Sequence, residues 1–268
     1  MNQPQLKDTE FARFQSWLYE ATGINLTSAK KALVAGRLQK RLTHHQLKSY
    51  GEYFQLIMSK TATAELQIAT DLLTTNETYF FREPKHFDYL KQQILPHIIP
   101  AKPFRVWSAA SSSGEEAYTI AMILASTLIS TQWEVFGSDI STHVLQIAKN
   151  AHYPMSRAST IPKHLLSEYC LKGVSSQEGT FLIDRNLRSR VSFAQINLNE
   201  PVPNVGEFDV IFLRNVMIYF DQETKRKVVA RVLPHLKSGG YFFVSHSESL
   251  NGVTDALKLV APSIYRKP

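Results

Sequence analysis

Phe104 to Ile120, FRVWSAASSSGEEAYTI, is the stretch whose reading decides the fold. Arg105-Val106-Trp107 followed by Ala109-Ala110 has the short, apolar, β-rich look of a buried strand. Ser111-Ser112-Ser113-Gly114 breaks it, and Glu115 to Ser126 predicts a mostly apolar helix. Ser113 with Glu116 three residues later matches a capping box, which places the helix start. A strand feeding a small-residue turn into a helix N-terminus is how α/β proteins present backbone N–H groups to a ligand. Here Glu115 and Glu116 stand in place of the lysine of a phosphate loop. They would repel a pyrophosphate and suit a ligand carrying positive charge. An ordinary strand-to-helix turn in a doubly wound sheet has the same pattern, so the turn alone leaves both readings open.

Downstream, helix and strand alternate, as a doubly wound sheet requires. Glu134 to Gly137 is a second strand ending in Ser138-Asp139-Ile140, where α/β cofactor sites place an acid for ribose hydroxyls. Ser141 caps a helix to Asn150. Tyr153 to Arg190 interrupts the alternation and predicts a small β insertion. Within it, Pro162 to Cys170 reads as a short helix, and Thr180 to Asp184 with Arg188 to Phe193 as a hairpin. Val191 to Asn197 is the third core strand. Phe208 to Leu213, FDVIFL, is a continuous apolar run of the parallel-sheet-centre kind. Arg214-Asn215 at its carboxyl end therefore face the ligand crevice of an open sheet. A helix from Gln222 to Leu236, a strand from Tyr241 to Ser245 and a last strand within Leu257 to Tyr265 complete the chain.

Upstream, Phe11, Phe14, Trp17 and Leu18 recur at helical spacing before Gly23, with Asp8 or Thr9 as cap. Further helices are predicted over 28–43, 49–60 and 63–73, and nothing alternates like a strand. Residues 1–75 thus read as a small all-α domain, and 76–268 as the α/β domain with its insertion at about 153–190. Thr74 to Pro84, TTNETYFFREP, mixes aromatics with an arginine in the manner of ligand-lining loops. It equally suits a linker with buried aromatic anchors. Phe87 to Ile98 reads as a helix stopping at Pro100.

The chain has 268 residues, 44% hydrophobic and 20% charged, ordinary for a soluble globular protein. MNQPQLKDTE is polar and mixed in charge, unlike a signal peptide. The single cysteine, Cys170, excludes an internal disulfide. These features predict a cytoplasmic protein with no membrane insertion. Net charge is +7, and residues 1–60 hold nine Lys or Arg against four Asp or Glu. Lys30, Arg37 and Arg41 fall within roughly 40° on one helix face, a basic stripe for an acidic partner or simply a solvated face. The nine histidines show no ligand spacing, so no metal is expected.

Several motifs together resemble the chemotaxis receptor methyltransferases of the CheR type. They are TTNETYFFRE at Thr74 to Glu83, RVWSAASSSGEEAYTIAM at Arg105 to Met122, SDI at Ser138 to Ile140, RNVMIYFD at Arg214 to Asp221 and SGGYFFVSHSESL at Ser238 to Leu250. The resemblance covers about residues 70–268, with a weaker helical and basic match before. It implies a Rossmann-like methyltransferase sheet with a small inserted β subdomain, preceded by a helical domain. It implies S-adenosylmethionine as methyl donor and S-adenosylhomocysteine as product. It places Asn76, Thr78, Arg82, Glu115, Asp139, Asn197, Leu198, Arg214 and Asn215 around that cofactor. Ser111 to Ser113 depart from many methyltransferases, which often carry glycines there.

The implied reaction is methylation of receptor glutamates, for sensory adaptation. A glutamate carboxylate, with an unperturbed pKa near ~4.3, is already the nucleophile at neutral pH. Catalysis then reduces to in-line alignment and exclusion of water. Arg82 is expected to orient a carboxylate by a bidentate contact, and Tyr219 to position the reacting groups through its hydroxyl. Lys30, Arg37 and Arg41 are expected to dock the acidic methylation helices of a receptor. In some family members the β insertion holds a receptor's carboxyl-terminal tail, and the sequence leaves open whether it does so here. The enzyme is expected to act as a monomer. A nucleic-acid methyltransferase fits the basic charge, but the chain has Asn215-Val216-Met217-Ile218 where an Asn-Pro-Pro-Tyr amine-binding motif would stand. A non-catalytic adaptor is disfavoured by the presence of both Arg82 and Tyr219.

Overall fold

A computed structural model describes residues 4–99, 102–128 and 132–268. By its contacts the chain forms two compact units. One is Met1–Thr75 with Tyr219–Lys225, the other Asn76–Ile218 with Arg226–Pro268. The second unit starts at Asn76, and the short Tyr219–Lys225 segment goes with the helices.

The first unit packs α1 (Asp8–Thr22), α2 (Lys31–His44), α3 (Tyr50–Ile57) and α4 (Thr63–Leu73). The apolar stripe of α1 is buried as its spacing demands, and Phe14 lies against Tyr53 and Phe54 at ring distances of 6.5 and 5.1 Å. The start of α1 is capped one residue earlier than expected. The Lys7 N–H donates to Glu10 Oε2 at 2.9 Å, a side chain reaching back from the first turn. The helix closes on Gly23 in the left-handed region, φ 76°. Glu65, buried between helices, accepts from Arg41 Nε at 2.8 Å and from the Tyr53 hydroxyl at 2.7 Å. Burial pushes the Glu65 pKa up, but the bonds from Arg41, Tyr53 and His45 outweigh it and hold it at about 2.

In the second unit, α5 (Pro84–Tyr89) runs on through a π turn and a 3-10 turn to His97. Pro100, the expected stop, lies outside the described residues. Among the described residues the main sheet has seven strands. They are β1 (Phe104–Ser108), β2 (Trp133–Asp139), β6 (Val191–Gln195), β7 (Phe208–Phe212), β8 (Leu236–Phe243), β9 (Lys258–Ala261) and β10 (Ile264–Arg266), in the order β6-β2-β1-β7-β8-β10-β9. The first five are parallel; β10 and β9 join antiparallel. The single last strand expected from the sequence is therefore a hairpin. Its register shift between Ile264 and Tyr265 explains why no clean alternation marked it. Trp107 and Phe212 are fully buried. The Trp107 indole donates to Ser138 Oγ at 2.9 Å, tying β1 to β2.

The helices α6 (Glu115–Thr127), α7 (Thr142–Asn150) and α10 (Gln222–Val232) connect these strands. From Ala117 to Leu124 every side chain of α6 is buried, which is why it reads as apolar all round. The insertion is a three-stranded antiparallel sheet, β3 (His152–Pro154), β4 (Cys170–Lys172) and β5 (Thr180–Ile183), ordered β3-β5-β4, with α8 (Lys163–Tyr169) between β3 and β4. The expected hairpin of 180–184 with 188–193 does not form. Arg185–Arg188 is one helical turn, α9, and β6 joins the main sheet beside β2. No helix among the described residues is long and apolar enough to cross a membrane.

Candidate active site

The strand order reverses between β1, whose successor β2 lies on one side, and β7 on the other. A crevice at the carboxyl ends of such strands is where open α/β sheets bind ligands. The turn after β1 is stitched across this gap. The Ala109 N–H donates to Phe212 O and the Ser111 N–H to Ser138 O, both at 2.8 Å. Ser112 takes a left-handed conformation, φ 48°, without being glycine. Its N–H is held by Asp139 Oδ2 at 2.9 Å and its Oγ donates to the Asn76 carbonyl at 2.8 Å. Gly114 has φ 97°, and a Cβ there would lie 2.9 Å from that of Ala148. Only glycine fits.

The expected capping box is not formed. Gly114 itself is the N-cap. The Ser113 hydroxyl donates to Glu115 Oε2 at 2.6 Å, and Glu116 is drawn away to Ser108 Oγ and Arg214. Glu115 is fully buried and also accepts from Arg157 Nη1 at 2.6 Å. Burial raises its pKa, partly offset by the Ser113 and Arg157 bonds. Asp139, at the end of β2, accepts the Ser112 and Ser141 N–H groups on its two oxygens at 2.9 and 3.0 Å. The Ile196 N–H bonds Asp139 O at 3.0 Å, which brings Asn197 and the nearly buried Leu198 to the same strand end.

Arg214 is nearly buried and clamps two acids. Nη1 donates to Glu116 Oε2 at 2.8 Å, and Nη2 to Glu83 Oε2 at 2.9 Å and to the Arg82 carbonyl at 2.6 Å. Asn215 is left-handed, φ 58°; its N–H and that of Ser245 both donate to Glu248 Oε2. Arg82 donates Nη1 to the Glu77 carbonyl at 2.8 Å and lies over the Tyr79 ring. The Thr78 carbonyl accepts from Arg157 Nη1 at 2.9 Å. Asn76, Thr78, Glu115, Asp139, Asn197, Arg214 and Asn215 are thus linked to the loops at one sheet edge. Arg82 joins them through its backbone.

Tyr219 belongs with the helical unit, where its carbonyl accepts the Asn25 N–H at 2.9 Å. In that unit Lys30 is exposed. Arg37 caps the Leu73 and Thr74 carbonyls, and Arg41 is paired with Glu65. The basic stripe is therefore partly neutralised internally.

Sequence reading missed Glu83, Glu116 and Glu248 as anchors, although each lies inside a quoted motif. It also missed Arg157, 42 residues beyond Glu115 and on the insertion, where no local pattern marks it. Glu83, His86 and His246 have ligand atoms within 4.8 Å of one another. Glu83 Oε2 already holds Arg214, whose charge disfavours a cation there. Burial, followed by the charges of Arg214 and His246, lowers the His86 pKa to about 3.

A family model described as CheR methyltransferase, SAM binding domain, matches residues 76–265, and one described as CheR methyltransferase, all-alpha domain, matches 9–74. A chemotaxis protein methyltransferase of Salmonella typhimurium is 38% identical over 97% of this chain and 90% of its own length. One of Borreliella burgdorferi is 36% identical over 96% of this chain and 94% of its own. Chemotaxis protein methyltransferase 2 of Pseudomonas aeruginosa is 38% identical over 96% and 92%.

Proposed function

Since the chain belongs to the CheR methyltransferase family and is an S-adenosylmethionine-dependent methyltransferase, we propose that it esterifies glutamate side chains of chemotaxis receptors in the cytoplasm. The observation that carries this reading is the pair of buried acids at the switch point, Glu115 at the start of α6 and Asp139 at the end of β2. Their chemistry fits the donor. Glu115 suits an ammonium, Asp139 is an acceptor of the kind that suits ribose hydroxyls, and Asn197 with Leu198 offers one polar and one apolar contact to adenine. Ser111 Oγ, buried in the same turn with no hydrogen-bond partner, supports an occupant for this crevice.

When bound, the donor supplies a methyl group on a positively charged sulfur. Transfer of that methyl to a carboxylate oxygen would give a neutral γ-methyl ester and S-adenosylhomocysteine without moving a proton, so no side chain of this protein would have to act as a base. The protein's part is to align and to exclude water. Arg82 orients the incoming carboxylate with the guanidinium donors that the Glu77 carbonyl leaves over. Tyr219 positions the reacting groups with its hydroxyl. Asn76, Thr78, Arg214 and Asn215 shape the crevice, Arg214 chiefly by holding Glu83 and Glu116. Lys30, Arg37 and Arg41 give α2 and the turn before it a basic face for acidic receptor helices, and the protein works as a monomer. Receptor-bearing membranes with methyl-labelled donor test the reading. Base-labile label on receptor glutamates, lost in Glu115→Gln and Asp139→Asn, is the expected result. Label in RNA, or none from the wild type, refutes it.

A further inference from the structure

Resting on the reading that Glu115 receives the donor's ammonium, we propose that Arg157 binds the carboxylate at the same end of the donor, changing partners from Glu115 as the donor enters. Arg157 stands in the 3-10 turn Met155–Thr160, just past β3 of the inserted sheet. Its Nη1 touches two groups, Glu115 Oε1 at 2.6 Å and the Thr78 carbonyl at 2.9 Å. The arginine side chain is 45% exposed, whereas Glu115 is 0% exposed. An ammonium therefore cannot reach Glu115 from solvent while the contacts around it stay as they are. Arg157 is the half-exposed member of that seal, and it has to yield.

The donor's amino-acid end carries an ammonium and a carboxylate on one carbon. A Glu–Arg pair in contact is the complement of that zwitterion. A carboxylate drawn into the crevice behind its ammonium loses water and needs a cation in return. Arg214 is 1% exposed and bound to two glutamates. Arg157 is half-exposed and is paired with one acid, Glu115. Both its contacts use Nη1, which leaves the Nε and Nη2 donors of a five-donor fork for a bidentate carboxylate. The Thr78 carbonyl can hold the guanidinium while its acidic partner changes. The exchange ties loading of the donor to the position of the inserted sheet, because the arginine is carried by that insertion.

The test compares two donors by calorimetry on the full chain, S-adenosylmethionine and its decarboxylated form, which keeps the ammonium. Arg157→Met should weaken S-adenosylmethionine by about 10- to 100-fold. The decarboxylated compound should bind that variant at least as tightly as it binds wild type, since a competitor for Glu115 is gone. Arg157→Lys should recover part of the loss, as a point charge without the fork. Equal weakening of both compounds makes Arg157 a structural support and overturns the proposal. Tighter binding of S-adenosylmethionine to Arg157→Met makes it a plug only, and overturns it equally. Wild type that binds neither compound refutes the Glu115 reading itself, and this one with it.

Discussion

Replacing Arg214 by methionine tests how the crevice is held. Methionine keeps most of the apolar stem against Phe87, over whose ring the guanidinium sits, and removes only the charge and donors. The side chain is 1% exposed, and its two acidic partners, Glu83 and Glu116, are 16% and 13% exposed. Breaking a fully buried ion pair costs about 3–5 kcal/mol. Partial access of water to both glutamates reduces this to about 2–4 kcal/mol. For a unit of this size that lowers the unfolding midpoint by about 5–12 °C at neutral pH. The pH dependence gives a second reading. Burial pushes the Glu83 pKa up, but the Arg214 and Asn215 bonds more than offset it, so the folded value lies below the ordinary one. A depressed carboxylate stabilises the fold above its unfolded pKa and ceases to as pH falls through the folded value. The gap between wild type and Arg214→Met should thus narrow below the ordinary glutamate range. Glu83→Gln with Glu116→Gln in the Arg214→Met background should restore much of the loss. A midpoint within about 2 °C of wild type at pH 7, read by circular dichroism, refutes the clamp.

Gly114→Ala should cost about 2 kcal/mol in denaturant unfolding, because φ 97° and a Cβ 2.9 Å from that of Ala148 both oppose it. Tyr219→Phe should lower turnover while calorimetric donor affinity stays unchanged; full activity would make Tyr219 a wall of the pocket. Lys30→Glu should weaken methylation of receptor membranes and leave both melting and donor affinity unaltered. Arg41→Glu should instead lower the melting midpoint of the helical unit, since it sets a second acid against Glu65.

How much of this could be read from residues alone depended on the range of the interactions. FDVIFL announced a central strand because burial on both faces leaves no room for alternation, and β7 is buried at Phe208, Val210, Ile211 and Phe212. The stripe of α1 was legible for the same local reason. Misreadings arose where a distant partner decided. Thr180–Ile183 has strand propensity, but propensity does not name a partner; His152–Pro154 and Cys170–Lys172 take it, not the next β-rich stretch. Ser113 and Glu116 have capping-box spacing, yet Glu116 answers to Arg214, 98 residues away. The angular reading of Lys30, Arg37 and Arg41 identified a face but not Glu65, which claims Arg41 from α4. Glu115 and Asp139 were visible as candidates because they lie at a helix start and a strand end. Arg157 was not, because only folding of the insertion brings it to Glu115.

The concentration of carboxylates at one sheet edge is notable in a chain of net charge +7. Glu83, Glu115, Glu116, Asp139 and Glu248 meet there, and their partners divide them. Glu83 and Glu116 share one buried guanidinium, and Glu248 gathers the N–H groups of Asn215, Ile218 and Ser245. These three acids build the loops after β7 and β8. Asp139 also holds backbone, but it does so at the end of β2 beside Asn197. Glu115 differs again, since its charged partner is a half-exposed arginine carried by the inserted subdomain. Structural acids with buried or backbone partners thus preorganise the crevice. The acid with a half-exposed partner is the one suited to exchange it for an incoming cation.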